Sequence, residues 1–600
     1  MSYHGKILRI NLETKEIKTE ELSKDLARMY IGGRGMGTKI FYDEVDAKVD
    51  ALSPENKLIF ATGALTATTA PTGGRYMVVT KSPLTSSIAS SNSGGFFGHK
   101  LKSTGYDVLI FEKKAKKACY LYLDEEKAEL RDATHLWGKD GHETTDILME
   151  EVGEKTAKVA CIGPAGENLS LISGIMNDKN RAAGRSGVGA VMGSKMLKAI
   201  VVSGRKKTLI DDKEAFKTAV KQRVKILKEN GITGQGLPAL GTKVLDNILN
   251  SIGAYPTRNF QKSQFEFVDE VSGEALVEKG YLVKNVACYA CPIACGRLIE
   301  LPQGKKGEGP EYEAGWSFGA LCEVHDLNTI TQANFLCNEL GLDSISAGVT
   351  IATAMELYDR GYIKKEELEK GPELKFGNAE AILYYIKKMG QNQGIGKKLA
   401  LGSYRLAESY GHPEYSMTVK KMEIPAYDPR GIQGHGLGYA TNNRGGCHVR
   451  CYMISPEVLG APEKLDPQEL KDKPEWVKTL QDLTAVIDSS GLCLFTSFAL
   501  GAPDYTELLN KATGFNYSVE EIMLTGERIW NLERQFNLKA GLTAADDTLP
   551  KRLLEDPIPA GPNKGHVHRL GELLPHYYEI RGWSKDGIPT NEKLKELSLL

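Results

Sequence analysis

The sequence predicts an α+β protein, with a β-rich N-terminal unit followed by two mostly α-helical ones. Three observations carry this expectation. Residues 1–210 hold short β-branched and aromatic runs bounded by Gly, Asp and Lys turns. From residue 211 onward, apolar residues recur at helical spacing. The texture changes again at the Gly- and Asn-rich stretch 420–450, which places a second boundary near 415. The expected units are 1–210, 211–415 and 416–600.

The bulk composition excludes several classes. The chain has 600 residues, 41% apolar and 26% charged, as in an ordinary globular protein. Its 76 Lys and Arg nearly cancel its 77 Asp and Glu, whereas a nucleic-acid binder normally shows a basic excess. The start, MSYHGKILRINLETK, has no apolar run after a basic segment, so no secretory signal is expected. No uninterrupted apolar run approaches the roughly 18 residues of a membrane span. The ten cysteines include a tight group at 288–295, which points to metal chemistry in a reducing compartment rather than to disulfides. A cytoplasmic location is expected.

The elements follow in order. GKILRINL, RYMVVTKSPL, YDVLIF, CYLYLD, KVACIG and KAIVVSG read as strands. Between them lie glycine-rich links: PTGGR (71–75), NSGGFFGHK (92–100) and RAAGRSGVGAVMGSK (181–195). A backbone without Cβ atoms can approach phosphate closely, yet none of these matches the dinucleotide fingerprint in its strand–helix frame. Asp211 or Asp212 caps a helix through KEAFKTAVKQRVKILKEN. Residues 327–361 read as helical with a break near Gly341, and SVEE (518–521) has capping-box spacing ahead of EEIMLTGERIWNLERQF. The stretch 420–450 reads as too rich in Gly and Asn for a helix.

Three readings compete for CYACPIACGR, residues 288–297. A structural zinc site would need a second CxxC or a His pair, and neither follows. Radical enzymes space three cysteines three-then-two, and here the order is two-then-three. A four-iron cluster suits three closely spaced thiolates with a remote fourth. Three unliganded core cysteines are the bland alternative. Spacing leaves the fourth ligand open among Cys119, Cys161, Cys322, Cys337, Cys447, Cys451 and Cys493. A short internal repeat bears on this: NELGLD (338–343) and DSSGLC (488–493) share a frame, which suggests two related sites with Cys493 turned toward the cluster.

PTGGRYMVVTKSPLT, RAAGRSGVGAVMGSK, CYACPIACGR, GPEYEAGWSFGA, NELGLD, GLGYATNNRGGCH and DSSGLC, taken in order, resemble the aldehyde ferredoxin oxidoreductases, tungsten enzymes with a bis-pterin cofactor. The resemblance runs over essentially the whole chain. It implies a β-rich domain cradling the cofactor and two helical domains closing over it. It implies that Cys288, Cys291, Cys295 and Cys493 hold one [4Fe–4S] cluster, and that Asp343 and Asp488 hydrogen-bond the two pterins. The family's first motif commonly starts with Asp; here Asn338 keeps an acceptor and loses a charge. Arg75, Gly94, Arg181, Gly184, Arg450 and Leu492 fall at the remaining cofactor positions. Carbonyls of Asn92 and Ala182 match the ligands of a Mg²⁺ ion bridging the pterin phosphates.

The resemblance further implies oxidation of an aldehyde to an acid, with electrons passing through the cluster to ferredoxin. Glu313 would take a proton from water, and His448 would polarise the carbonyl oxygen. Ferredoxin-like electron-transfer subunits are a further expected partner class. Two alternatives stand beside this: the related tungsten subunit that reduces aromatic thioesters, and an electron-transfer subunit with a vestigial pterin site.

Overall fold

Alternating β-branched and polar residues in the first 204 positions build two six-stranded sheets. The computed structural model describes residues 1–600. The first sheet contains β1 (Lys6–Asn11), β2 (Ile17–Glu21), β3 (Leu58–Thr62), β4 (Tyr76–Lys81), β5 (Ile88–Ser93) and β6 (Val108–Glu112), in the order β2-β1-β6-β3-β4-β5. The second contains β7 (Cys119–Leu123), β8 (Ala128–Asp132), β9 (Lys158–Cys161), β10 (Ile175–Asn177), β11 (Arg181–Ala183) and β12 (Leu197–Val202), in the order β11-β10-β9-β12-β7-β8. Phe60, Tyr76, Phe97, Phe111, Leu121, Ile200 and their neighbours fill one apolar core shared by both sheets. Strand side chains face opposite ways in alternation, and the other face of each sheet packs a second apolar core, Ile59, Met77, Val79 and Ile110 on the first sheet and Tyr120, Val159, Ala199 and Val201 on the second.

The edge strands β5 and β11 come into contact, and Asn177 of β10 knits the junction. Its side-chain oxygen accepts from Tyr76 Oη at 3.0 Å and from Ser93 Oγ at 2.6 Å, while its Nδ2 donates to the Gly94 carbonyl at 3.0 Å. Both edges therefore converge on the glycine-rich link that follows β5.

The remainder is mostly helical. Asp212 caps helix Lys213–Glu229 by accepting from the Ala215 N–H, and Ser518 with Glu521 forms the reciprocal capping box of helix Val519–Lys539. Two small sheets interrupt the helices: a two-stranded one, Thr418–Val419 with Met422–Glu423, and a three-stranded one, β13 (Leu282–Val286), β14 (Gly296–Glu300) and β15 (Lys306–Glu308), antiparallel and in that order. The three clustered cysteines occupy the loop between β13 and β14. The largest apolar core runs from Leu237 to Trp583, on both sides of residue 415, and also takes in Leu84, Ala165 and Ile172 of the sheet-rich unit.

The repeated frame has a structural meaning. Helices Leu327–Leu340 and Lys473–Ser490 end the same way. Gly341 and Gly491 are left-handed, at φ 76° and 83°. In the first helix the N–H groups of Gly341 and Leu342 both donate to the Cys337 carbonyl; in the second, those of Gly491 and Leu492 both donate to the Ile487 carbonyl. The buried Leu after each Gly completes the cap, so the frame is a helix terminator used twice.

Two expectations are corrected. The stretch 420–450 contains a helix, Gln433–Ala440, buried along its whole length. Gly costs a helix about 1 kcal/mol per residue relative to Ala, but packing outweighs that here. A Cβ on Gly434 would stand 2.6 Å from Met453 Cε, and one on Gly436 would stand 2.3 Å from the His568 ring. RAAGRSGVGAVMGSK is likewise more than a link: it is β11 followed by helix Val188–Ser194, whose Gly193 lies where a Cβ would be 2.0 Å from the Gly166 carbonyl oxygen.

Close backbone approach also joins the first sheet to the second repeat motif. A Cβ on Gly63 would lie 2.1 Å from the Gly491 nitrogen and 2.2 Å from the Ser490 carbonyl carbon. Backbone on both sides leaves nothing to rotate away. Gly63→Ala is expected to destabilise the protein by more than about 4 kcal/mol, read as a fall in Tm; a variant melting with the parent would show that the two segments can separate.

Candidate active site

The glycine links of the first unit exist for close approach to the cysteine loop. A Cβ on Gly74 would meet Tyr289 Cβ at 2.9 Å, and one on Gly94 would meet Cys288 Sγ at 3.0 Å. The loop is pinned by backbone bonds: Thr72 N–H donates to the Ala290 carbonyl at 2.9 Å and Tyr289 N–H to the Gly95 carbonyl at 3.1 Å. From the other side, the Cys493 N–H donates to Thr72 Oγ1 at 2.9 Å. Cys493 thus arrives beside Cys288, Cys291 and Cys295, although it is far along the chain. Cys322 and Cys161 instead lie in packed interiors against backbone carbonyls. No group of three or more His, Cys, Asp or Glu converges closely enough for a single metal ion.

Arg75 occupies the middle of this arrangement. Its Nη2 donates to Cys493 Sγ at 3.1 Å and its Nη1 to Asn92 Oδ1. Burial works against the guanidinium charge, but Cys493, Cys288 and Cys295 outweigh it and hold the pKa above the ordinary value.

A cavity of about 530 Å³ begins at this point. Arg75, Gly94, Arg181, Ala182, Cys288, Cys295, Asn338, Asp343, Glu313 and His448 all line it, bringing ten of the expected site residues to one space. Gly184 lies one step behind, against Gly174. Asn92, Arg450, Asp488 and Leu492 form an adjoining buried layer, in which Asn92 Nδ2 donates to Asp488 Oδ1 at 3.2 Å.

The two aspartates are each held by arginine. Arg185 Nε donates to Asp343 Oδ2 at 3.0 Å, and its other nitrogens reach the carbonyls of Gly446 and Glu423. Arg450 Nη1 bonds Asp488 Oδ2, and Arg34 approaches the same oxygen at 3.4 Å while gripping Glu533 with two bonds of 2.7 Å. Arg444 and Arg450 both donate to the Ser90 carbonyl. The loop carrying His448 is therefore held by three guanidinium groups. Arg34, Arg185 and Arg444 were not among the residues expected from sequence. Arg185 and Arg444 lie inside the motifs already singled out, but only the fold shows which arginines turn inward.

At the inner end, Glu313 Oε1 lies 3.6 Å from His448 Nε2, and Glu313 Oε2 accepts from the Ala426 N–H at 3.0 Å. Burial pushes the Glu313 carboxyl up to about 8, against the opposing hydrogen bond from Ala426. Burial, then Arg185, holds His448 well below its ordinary range. The pair is uncharged at neutral pH and is close without being an ion pair. Glu313 Oε1, His448 Nδ1 and Asn180 Oδ1 line the cavity without a hydrogen-bonding partner in the protein, and Arg444 Nε and Arg450 Nε are unpartnered in the layer behind it. Arg181, which also lines the cavity, is paired with Glu308 at 2.8 Å. Such a mixture of buried acceptors and donors, with arginines near, suits an anionic, multiply hydrogen-bonded group. Toward its mouth the cavity is lined by Ile232, Leu237, Leu245, Leu459, Phe495 and Phe498.

The family model for the N-terminal domain of aldehyde ferredoxin oxidoreductase matches residues 7–204, and that for its domains 2 and 3 matches residues 218–599. The chain is 57% identical over 597 residues to the tungsten-containing aldehyde ferredoxin oxidoreductase of Pyrococcus furiosus, spanning 99% of this chain and 98% of that one. It is 55% identical to the protein of the same description from Thermococcus kodakarensis, spanning 99% and 98%. Among solved structures it is similar to the active site complex BamBC of benzoyl coenzyme A reductase in complex with 1,5-dienoyl-CoA. The TM-score is 0.88 at 27% identity, covering 100% of this chain and 97% of that one.

Breaking a buried ion pair by removing one partner costs about 3–5 kcal/mol. Arg185→Met should therefore lower stability by that order, and adding Asp343→Asn should recover part of the loss. A double-mutant cycle on thermal unfolding reads the coupling; strictly additive losses would show that the pair is not interacting.

Proposed function

The chain belongs to the aldehyde ferredoxin oxidoreductase family, and we propose that it oxidises aldehydes to carboxylic acids and passes the electrons to ferredoxin. The supporting observation is the continuity of one cavity from Cys288 and Cys295 to Glu313 and His448. Electrons and protons released at its centre each have a group to go to.

The donor set fits the implied cofactors. Cys288, Cys291, Cys295 and Cys493 would hold a [4Fe–4S] cluster, with Arg75, which donates to Cys493 Sγ, placed to influence its potential. Arg181, Asp343, Asp488, Arg450 and Asn338 would bind a tungsten bis-pterin group, whose anionic and donor-rich edges match these charges. Asn92 and Ala182 lie on β5 and β11, the edge strands in contact, and their carbonyls would serve a Mg²⁺ ion. When bound, the tungsten cofactor supplies a two-electron acceptor and an oxygen-activating centre.

The chain's own residues do the rest. The apolar and aromatic mouth strips water from the aldehyde and buries its side chain. His448, kept neutral by burial and by Arg185, donates a hydrogen bond to the carbonyl oxygen as charge develops there. Glu313 in its carboxylate form takes a proton from the attacking water; a base with a pKa near the working pH also gives that proton up readily.

The structural likeness to benzoyl coenzyme A reductase supports a second reading, reduction of an aromatic thioester. A Glu–His pair poised for water chemistry favours the first, and an assay with both substrate types decides between them.

Two tests follow for the holoenzyme. Because Glu313 acts ionised and its pKa is about 8, kcat/KM should rise with pH below about 8 and level off above it. Glu313→Gln should lose about 10²–10⁴-fold in rate and lose that pH limb, with tungsten and iron retained; single-turnover reduction at the parent rate would remove Glu313 as the base. Cys493→Ala should lower iron content and abolish the reduced-cluster EPR signal, and unchanged values would exclude Cys493 as a ligand.

A further inference from the structure

One layer behind the cavity wall lie polar groups that no protein atom meets. His435 and Tyr439 stand one turn apart on helix Gln433–Ala440, 1% and 0% exposed. Their rings meet edge to face at 4.6 Å. Both ring nitrogens of His435 and the hydroxyl of Tyr439 are unpartnered. Neither residue lines the cavity. Packing alone would favour Leu and Phe in these places, because buried polar groups are costly unless hydrogen-bonded.

In front of them stand Tyr427 and Tyr452, which do line the cavity and whose hydroxyls share a hydrogen bond of 2.9 Å. His435 lies 4.9 Å from the Tyr427 ring and 6.2 Å from the Tyr452 ring. His448 lies 5.9 Å and 6.2 Å from the same two rings. The tyrosine pair is the partition between the two histidines.

We infer that His435 and Tyr439, reached through the Tyr427–Tyr452 hydroxyl pair and buried water, form the first stage of a proton exit from the catalytic pair. The inference rests on the aldehyde-oxidation reading. In that reaction an aldehyde and one water give a carboxylic acid, two protons and two electrons. A C–O bond forms, the aldehyde C–H bond breaks, and both electrons pass by way of the cysteine end of the cavity to oxidised ferredoxin. The protons are left at the opposite end. Glu313 holds one, so it must be cleared, and the other must leave, before the next aldehyde reacts. A neutral imidazole accepts a proton at one nitrogen while releasing one from the other, and a phenol hydroxyl does the same at one oxygen. Burial keeps His435 neutral, which suits it to passing protons rather than storing them.

Tyr439→Phe and His435→Gln holoenzymes, with tungsten and iron content verified, are compared with the parent in single-turnover and steady-state aldehyde oxidation. Tyr439→Phe removes only an unpaired hydroxyl, so a purely structural residue would leave Tm and turnover unchanged. Above about pH 8, where Glu313 starts as the carboxylate, the relay instead predicts a first turnover at the parent rate, because Glu313 can hold one proton. It then predicts steady-state kcat lowered on the order of tenfold, an unchanged KM and a larger solvent isotope effect. Parent-like kcat and isotope effect in both variants would overturn the relay. A parent enzyme that oxidises no aldehyde would overturn the functional reading, and the relay with it.

Discussion

Charge that cannot reach water organises this molecule. Asp343, Asp488 and Glu533 are buried carboxylates, and each is met by a buried guanidinium from a distant part of the chain: Arg185, Arg450 and Arg34. Leaving any one unpaired would cost about 3–5 kcal/mol. The pairs therefore fix how the two sheets sit against the helices. Arg34 lies in the first turn of helix Gly33–Glu44, the second helix after the first β-hairpin, and it reaches two long helices, Lys473–Ser490 and Val519–Lys539, at once. Arg185 ties the second sheet to the N-terminus of helix Ser344–Asp359 and to the loop before His448. The cavity lies where these charged seams meet and side chains do not close over the space.

Local features of the chain were legible and long-range ones were not. Alternation marked GKILRINL and RYMVVTKSPL, and β-branched or aromatic runs between turn residues marked YDVLIF, CYLYLD, KVACIG and KAIVVSG. Asp212 and Ser518 marked helix starts, because a cap is completed within three residues. The three cysteines could be read from spacing. Helix Gln433–Ala440 could not, because its glycines are explained by Met453, Glu457 and His568, which lie elsewhere in sequence. The inward turn of Arg185 and Arg444 was hidden for the same reason. The small sheet that presents the cysteine loop was missed because its strands are short and polar: LVKNV alternates too weakly to separate from a loop.

The short repeat shows how a local rule serves a distant site. By itself a Gly–Leu pair ends a helix and nothing more. Here it ends two helices at the cavity's edge, so the first and last residues of each frame fall beside the same space. Asn338 and Asp488 occupy the first position, Asp343 and Cys493 the last. Ending the helix alone would accept many residues at either place. Those present are acceptors and a thiol, and they turn a stop signal into part of a binding surface.

The inner cavity is held in a state that a folding argument alone would reject. Unpaired buried polar groups cost about 1–3 kcal/mol each, and Glu313 Oε1, His448 Nδ1 and Asn180 Oδ1 face this space without a partner. The cost is concentrated where Glu313 and His448 face each other as neutral groups. With arginines this near, an imidazolium would be repelled, so His448 keeps a lone pair and one N–H rather than a fixed charge. With so little water near, a carboxylate is disfavoured until the pH approaches 8, so Glu313 exchanges its proton near physiological pH. Burial therefore sets both members of the pair for proton traffic, while the cysteine sulfurs at the far end favour a positive charge on Arg75. One cavity thus has an end arranged for protons and an end arranged for electrons. A reaction that must separate the two is the one for which this division of burial and charge is worth its cost in stability.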